Sequence, residues 1–420
     1  MSNNYLIVIR MSLFFIVCSV ASNNFADIDK SRLDAVEAEI QTLIDDGKLS
    51  GAVLMIAQQG ELQMNKALGY KNVEDQTPME TDTIFRIFSM TKPITGTALM
   101  ILHDEGKFEL NDPLEKHLPE LSNLRVAIAA NDDGTWETEP ADHPLTVREL
   151  MSHTGGFTYF PPIGNGPIAE AYVEAGIGGD ATLAESMPEL KDIPLDYQPG
   201  TKWVYSISVD IQGYLIEKLS GQTLDAFFQE RIFDPLEMED TAFFVSTNKA
   251  HRLSGMYIPR NGSLLRTDNL GNSLGGSFLE KPAFLAGGHG LTSTASDYMK
   301  FAQMHLNKGI LNGTRILSEE AIDLMRDNQL PEAVKEIGQP YPGNVFGLDF
   351  AVVDNSDAFQ KAPVGTHWWW GIAGSWFWID PVTETVFIGM IQNNDILLSL
   401  QIHLSLIHIS EPTRLLSISY

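Results

Sequence analysis

The sequence has very little cysteine and few basic residues. Cys18 is the single cysteine among 420 residues, so the chain has no intramolecular disulfide and no cysteine set for a zinc site. Lys and Arg number 28 against 55 Asp and Glu, which gives a formal net charge of -27 at pH 7. Such a surface repels phosphate backbones and anionic lipids, which argues against nucleic-acid binding and a polybasic membrane anchor. We expect no metal and no cofactor.

Residues 1–21 have the pattern of an export signal. Arg10 precedes an apolar run from 11 to 20, and the segment 19–21 offers small residues to signal peptidase. The run is short for a bilayer-spanning helix, so a retained anchor helix is the alternative. A lipoprotein signal needs a small residue just before its cysteine, and Val17 precedes Cys18 instead, so we do not expect lipidation. The sequence therefore predicts cleavage after Ala21 and a periplasmic or secreted protein without a stable membrane anchor.

Residues 404–420 differ in character from the rest of the chain. From Leu404 the sequence reads Leu-Ser-Leu-Ile-His-Ile-Ser-Glu-Pro-Thr-Arg, without the amphipathic periodicity or the caps of the upstream helices. This segment resembles the conceptual translation of a transposon-type sequencing-library adapter. We therefore expect a non-native tail from 404 to 420, with an ordinary short strand and tail as the alternative.

The order of helical and strand-like patterns predicts two lobes. An amphipathic helix is predicted between Ile28 and Asp46, and strand-like runs over 52–57 and 62–70 predict an antiparallel hairpin. Short helical patterns broken by Pro and Gly fill 110–279, and strand-like alternation returns over 346–353, 375–379 and 385–392. We expect an α/β fold. Its antiparallel sheet, flanked by helices, forms a sheet lobe (about 28–80 and 285–400), and a mainly helical second lobe (about 81–284) lies beside it, with a cleft between them.

Ser89 and Lys92 form a Ser-x-x-Lys motif at the start of a predicted helix. A serine hydroxyl is a poor nucleophile until a base takes its proton, and a lysine three residues later lies one turn away on the same helical face. The positive potential of a helix N-terminus favours a neutral lysine and a developing negative charge on oxygen. The motif alone also fits an N-terminal capping serine beside a solvated lysine.

Two further motifs follow in order. Tyr205-Ser206-Ile207-Ser208-Val209-Asp210 precedes a predicted helix, and Trp369-Trp370-Gly371 stands ahead of Ala-Gly-Ser-Trp-Phe-Trp-Ile-Asp-Pro. Together the three motifs resemble the serine β-lactamase and penicillin-binding-protein superfamily, and most closely the class C β-lactamase-like carboxylesterases known as family VIII esterases. The likeness runs from about Ile28 to Gln392 and implies one β-lactamase-like serine hydrolase domain over 22–403. Members of the family end with a helix packed on the sheet, which a foreign tail from 404 would remove.

The resemblance implies a role for each matching residue. Ser89 would be acylated, Lys92 would be the general base, and Tyr205 would relay the proton to the leaving group. The oxyanion would be held by the backbone N–H group of Ser89 and by that of Ile372, which the resemblance places on the sheet strand after the third motif. The residues expected to contact substrate are Trp369, Trp370, Gly371 and Ser206.

Departures from the motifs bear on the substrate. β-Lactamases have Lys-Thr-Gly where this chain has Trp369-Trp370-Gly371, and Ile207 replaces the asparagine of Tyr-x-Asn. These changes remove a cation, a hydroxyl and an amide, so they favour small to medium uncharged esters over anionic lactams, with weak lactam hydrolysis still open. The alternatives are a β-lactamase or D-stereospecific peptidase, and, in another class, a non-catalytic protein that binds cell wall or lipid. The sequence does not indicate the oligomeric state.

Three other segments imitate functional motifs. Ser273 lies in Gly-x-Ser-x-Gly, but a nucleophile elbow needs a strand before it and a helix after it, and neither is predicted there. His153-Thr154-Gly155 imitates a third motif but precedes Tyr205, so we interpret His153 as a packed or capping residue. Gly287-Gly288-His289-Gly290 precedes a helix predicted to begin at Ser293, and we interpret it as a tight turn.

Overall fold

The computed structural model describes residues 28–131, 134–268 and 277–406. The predicted export signal, Cys18 and the residues of the tail from 407 onward therefore lie outside the described residues. None of the described helices is long and apolar enough to cross a membrane. Over the described ranges, the helices of the fold are α1 Lys30–Asp45, α2 Thr91–Asp104, α3 Val147–Met151, α4 Pro167–Glu174, α5 Leu183–Ser186, α6 Ser208–Ser220, α7 Leu224–Phe228, α8 Asp234–Leu236, α9 Ala295–Leu306, α10 Glu319–Arg326 and α11 Ile396–Ser405.

The strands of the described residues, in chain order, are β1 Gly51–Gln58, β2 Glu61–Asn72, β3 Thr77–Pro78, β4 Phe85–Arg86, β5 Arg125–Ala130, β6 Trp136–Pro140, β7 Tyr257–Arg260, β8 Ser263–Arg266, β9 Thr292–Ser293, β10 Ile310–Leu311, β11 Thr314–Arg315, β12 Asn344–Phe346, β13 Ala351–Val353, β14 His367–Trp370, β15 Trp376–Asp380 and β16 Thr385–Met390. Eight of them form one antiparallel sheet in the order β12-β13-β14-β15-β16-β1-β2-β3. Four further strand pairs stand apart from it: β4 with β9, β5 with β6, β7 with β8, and β10 with β11.

The N-terminal helix and hairpin form as the sequence predicts. Asp29 caps α1 by accepting from the N–H of Ser31, and Gly47 follows the helix in the left-handed conformation, with φ +66°. β1 and β2 pair antiparallel around the turn at Gln59 and Gly60. The predicted sheet fold with flanking helices is thus confirmed.

Helices cover both faces of the sheet. Strand β15 sends alternate side chains to opposite faces, so Phe377 contacts Tyr298 of α9 and Trp378 contacts His403 of α11. Ser405 of α11 donates a hydrogen bond to Glu39 of α1, which ties these two helices together. Helix α11 therefore packs on the sheet through His403 and on α1 through Ser405. The non-native origin of residues 404–420 stays a prediction.

Three sequence predictions need correction in the fold. The single strand predicted over 346–353 is two strands, β12 and β13, because the chain turns between them and Asp349 adopts a left-handed backbone, with φ +64°. The middle region is helical but also carries the hairpins β5–β6 and β7–β8. The helix after Gly290 starts at Ala295, capped by Thr294, since Thr292 and Ser293 pair with β4.

Candidate active site

Ser89 lies on a strained turn at the start of helix α2. It belongs to a 3-10 turn, Phe88–Met90, that runs directly into the helix. Phe88 adopts φ +42°, a left-handed conformation that costs a non-glycine residue about 1–3 kcal/mol and is concentrated at functional sites. Ser89 itself is only 7% exposed.

Lys92 follows one turn later and is fully buried. Its Nζ lies 3.4 Å from Ser89 Oγ and donates to the carbonyl of Gly288 at 2.7 Å. A Cβ at position 288 would lie 3.4 Å from Lys92 Nζ and 3.3 Å from both carboxylate oxygens of Asp210. The segment that the sequence analysis interpreted as a tight turn therefore also holds the lysine, and Gly288 leaves room for it.

Tyr205 completes the group predicted from the motifs. Its ring lies beside Lys92, with Nζ 4.5 Å from the ring centre. The Tyr205 hydroxyl is buried and has no hydrogen-bond partner among the described residues. The structure therefore brings Ser89, Lys92 and Tyr205 together, with the lysine between the other two.

A second tyrosine, missed by the sequence analysis as part of this group, stacks on the first. The rings of Tyr159 and Tyr205 are 5.4 Å apart and 9° from parallel, and Lys92 Nζ lies 5.4 Å from the Tyr159 ring. Burial and the negative charge of Asp210 raise the pKa of Tyr159 well above its usual value, so this phenol keeps its proton. Its hydroxyl contacts His289 Nδ1 at 3.3 Å.

His153 is packed, as predicted, but beneath Tyr205. The two ring centres are 5.1 Å apart, and His153 is fully buried with φ +57°. Burial and the charge of Lys92 hold the pKa of His153 well below the usual value of 6.5, so the ring is neutral. A sequence pattern gives no signal for this contact, because 52 residues separate His153 from Tyr205.

The turn that carries Ile372 packs against the turn that carries Ser89. Ile372 is in the tight turn between β14 and β15, not on a strand as the resemblance implied. Its side chain packs against the small cluster that contains Phe88, the residue before Ser89. A Cβ at Gly371 would lie 2.4 Å from the carbonyl oxygen of Ile87, so only glycine lets the turn approach the nucleophile this closely.

Two buried carboxyl groups surround the lysine without touching it. Asp210 accepts from the N–H of Gly288 at 2.9 Å, and its second oxygen has no partner in the described chain. Asp349 accepts from Gln212 at 3.1 Å, and its other oxygen lies 2.5 Å from the place where a Cβ at Gly96 would be. Burial raises the pKa of Asp349 well above its usual value, so this group is neutral.

The predicted substrate contacts divide between the two faces of β14. Trp369 faces the site, with its ring centre 5.5 Å from that of Tyr205. Trp370 faces the other way, with its ring 5.2 Å from His403 of α11. Ser206 is 1% exposed, and its hydroxyl contacts His153 Nδ1 at 2.9 Å. Of these residues, the structure brings Trp369 next to Tyr205 and Gly371 next to the turn that carries Ser89.

Ser273 lies outside the described residues. Within the described ranges, no group of three or more His, Cys, Asp or Glu side chains is arranged to hold a metal ion.

The chain is similar to a known family and to several known proteins. Residues 36–397 match the family model described as Beta-lactamase. Protein Rv1367c of Mycobacterium tuberculosis is 36% identical over 372 residues, which cover 86% of this chain and 90% of that protein. Esterase EstB of Burkholderia gladioli is 30% identical over 371 residues, covering 83% and 86%. The solved structure of EstCE1, described as a hydrolase with promiscuous acyltransferase activity, superposes with a TM-score of 0.75 at 24% identity, covering 90% of this chain and 98% of that one.

Proposed function

We propose that the chain is a carboxylesterase for small to medium uncharged acyl esters. It belongs to the beta-lactamase family, and its similarity to named esterases identifies it as a serine hydrolase. One observation carries the proposal: Lys92 Nζ lies 3.4 Å from Ser89 Oγ and 4.5 Å from the Tyr205 ring. This arrangement joins a nucleophile, a base and a proton relay in one buried group. The similarity to an esterase at 30% identity supports the same chemistry.

The first half of the reaction acylates the serine. Lys92 takes the proton of Ser89 as the hydroxyl oxygen bonds to the ester carbonyl carbon. The carbonyl oxygen gains the negative charge and is held by the N–H groups of Ser89 and Ile372. The bond to the alcohol oxygen then breaks, and the proton passes from Lys92 through Tyr205 to the departing alkoxide. The acyl group remains on Ser89.

The second half releases the acid. A water molecule attacks the acyl carbon, and its proton passes to the Lys92 and Tyr205 pair. The bond to Ser89 Oγ breaks, and the proton returns to that oxygen. Microscopic reversibility gives the pair the same two roles in opposite order.

The side chain of Trp369, which faces the site, favours an ester substrate over a lactam. Trp369 places an indole ring where the resemblance puts the lysine of a β-lactamase. An indole cannot neutralise a substrate carboxylate, so an anionic lactam loses an ion pair that an uncharged ester does not need. The native ester partner is therefore a small molecule without a charge next to the scissile bond.

A substrate panel tests this function. Steady-state rates are measured on p-nitrophenyl butyrate, nitrocefin and a D-Ala-D-Ala dipeptide. We expect the ester to exceed nitrocefin by about 10²-fold or more in kcat/KM, and to release product in an initial burst. Faster turnover of nitrocefin or of the dipeptide would instead support a β-lactamase or a D-stereospecific peptidase. Melting shifts with ligands but no turnover of any of the three would support a non-catalytic binding protein.

A further inference from the structure

The segment that carries Tyr205 has no regular secondary structure to hold it. Residues 202–206 are neither helix nor strand, and helix α6 begins only at Ser208. A proton relay must nevertheless be positioned within a fraction of an ångström, because misplacement by about 1 Å can cost about 10² in rate. Contacts from elsewhere in the fold must therefore fix Tyr205.

His153 supplies these contacts on both sides of the tyrosine. Its carbonyl oxygen accepts from the N–H of Val204 at 3.0 Å. Its ring Nδ1 accepts from the N–H of Ser206 at 3.2 Å. The two residues that flank Tyr205 in sequence are thus bonded to one residue, and the imidazole ring packs against the phenol ring between them.

These bonds also fix the state of the imidazole. Since Nδ1 accepts from a backbone N–H, the proton of the neutral ring is on Nε2. Nε2 is buried without a hydrogen-bond partner in the described part of the chain, among the rings of Trp203, Tyr205 and Phe346. A protonated ring would lose the Nδ1 acceptor and place a positive charge next to Lys92 at the step in which Lys92 carries the Ser89 proton. The neutral ring keeps the Nδ1 acceptor and adds no positive charge next to Lys92.

The backbone of His153 shows that the position is held under strain. A φ of +57° is unfavourable for a residue with a side chain, and it persists only where surrounding contacts impose it. The phenol of Tyr197 donates to the His153 carbonyl at 3.2 Å, which adds a further contact from the same region. This strain lets both the carbonyl and the ring of one residue face the Tyr205 segment.

We propose that His153 is the positioning residue of Tyr205, holding the backbone on either side of it through its carbonyl and its Nδ1 and supporting the phenol ring with its own. The inference rests on the proposed role of Tyr205. His153 does not touch substrate and takes no proton. Removing its Nδ1 acceptor should therefore lower kcat and leave KM nearly unchanged.

Three variants and a double variant test this inference. His153→Phe keeps the ring and removes the acceptor, whereas His153→Asn keeps an acceptor near the Nδ1 position and tolerates a positive φ. We expect His153→Phe to lower kcat on a p-nitrophenyl ester by about 10²-fold with KM within about threefold, and His153→Asn to restore most of the rate. His305→Phe is the control, because His305 is also fully buried and bonds a single side chain, Thr97, at 2.9 Å. That variant should lose stability but keep kcat.

The double variant separates positioning from a general loss of structure. In a Tyr205→Phe background, His153→Phe should cost less than about threefold, because residues that act as a unit have non-additive effects. An equal loss in both backgrounds, or an unchanged kcat in His153→Phe, would overturn the inference. If His153→Phe does not fold, a folded His153→Asn with a loss of about 10²-fold or more overturns it, and one with a rate within about tenfold of wild type supports it. Full activity in Tyr205→Phe would instead refute the proposed role of the tyrosine.

Discussion

Lys92 Nζ lies over the ring of Tyr205, 4.5 Å from its centre, and the lysine side chain is fully buried. A cation over an aromatic face is stabilised by the ring, and the interaction gains strength where both groups are desolvated. In the proposed reaction, the charge that Lys92 gains with the Ser89 proton is therefore stabilised by the residue that passes the proton on. The proposed base and relay form one coupled unit.

Replacing Lys92 with methionine should abolish most of the activity. Methionine retains the apolar stem in a fully buried position but removes the base, and a general base contributes about 10²- to 10⁴-fold to rate. We expect kcat/KM to fall by that range while the melting temperature changes little. Lys202→Met is the matched control, because Lys202 is exposed and its Nζ lies over a different ring, that of Tyr197, at 5.6 Å. Similar losses in both variants would show that Lys92 has no special role.

Replacing Gly371 with alanine should damage the nucleophile turn. The new Cβ would lie 2.4 Å from the Ile87 carbonyl oxygen, and relief of that clash must move either Ser89 or the N–H of Ile372. Overpacking of this kind costs about 1–3 kcal/mol of stability. Denaturant unfolding and kcat are measured together.

Gly389→Ala provides the comparison for that variant. Its Cβ would lie 2.1 Å from the Trp376 ring, in the same sheet but away from the nucleophile. Both variants should lose stability, and the folded fraction of Gly371→Ala alone should lose kcat. Retention of full kcat in Gly371→Ala would contradict the assignment of this turn to the oxyanion site.

Acid should destabilise the protein through His403. Burial lowers the pKa of His403 to about 3, against 6.5 for an unperturbed histidine. Between these values the unfolded chain binds more protons than the folded protein, so stability falls as the pH drops below 6.5. From pH 7 to pH 5 this one group removes about 2 kcal/mol.

The variant His403→Leu isolates this contribution. The ring nitrogens of His403 have no partner in the described chain, so leucine loses no hydrogen bond. Urea unfolding at pH 7 and at pH 5 should show that the variant loses about 2 kcal/mol less than wild type over this interval. The exposed residue His251, changed to leucine, controls for the loss of any histidine. An identical pH dependence in wild type and His403→Leu would show that the group does not titrate on unfolding.

Local features of the fold were predictable because their causes are local. Helix α1 follows from an apolar face with Asp29 before it and Gly47 after it, and α6 ends where Gly221 adopts φ +74°. The β5–β6 hairpin was missed although the sequence from Asn131 to Gly134 is rich in turn formers. The break at Asp349 gave no signal, because a left-handed aspartate looks like any other in a strand-like run.

The sequence predicted the three side chains of the candidate site but not the residues that pack around them. The motifs indicate Ser89, Lys92 and Tyr205, and the structure brings these three side chains together. Gly288, Tyr159 and His153 join them through contacts between distant segments, which no spacing reveals. The direction of Trp370 could have been inferred: neighbours on a strand face opposite ways, so Trp369 and Trp370 could not both line the site.

Intact-protein mass after treatment with a fluorophosphonate tests the central claim most directly. The reagent bonds to an activated serine oxygen and releases fluoride, so each modified protein gains one phosphonyl group. We predict a single adduct on the wild-type protein and on Ser273→Ala, and none on Ser89→Ala. An adduct that persists in Ser89→Ala and disappears in Ser273→Ala would contradict the assignment of Ser89 as the nucleophile.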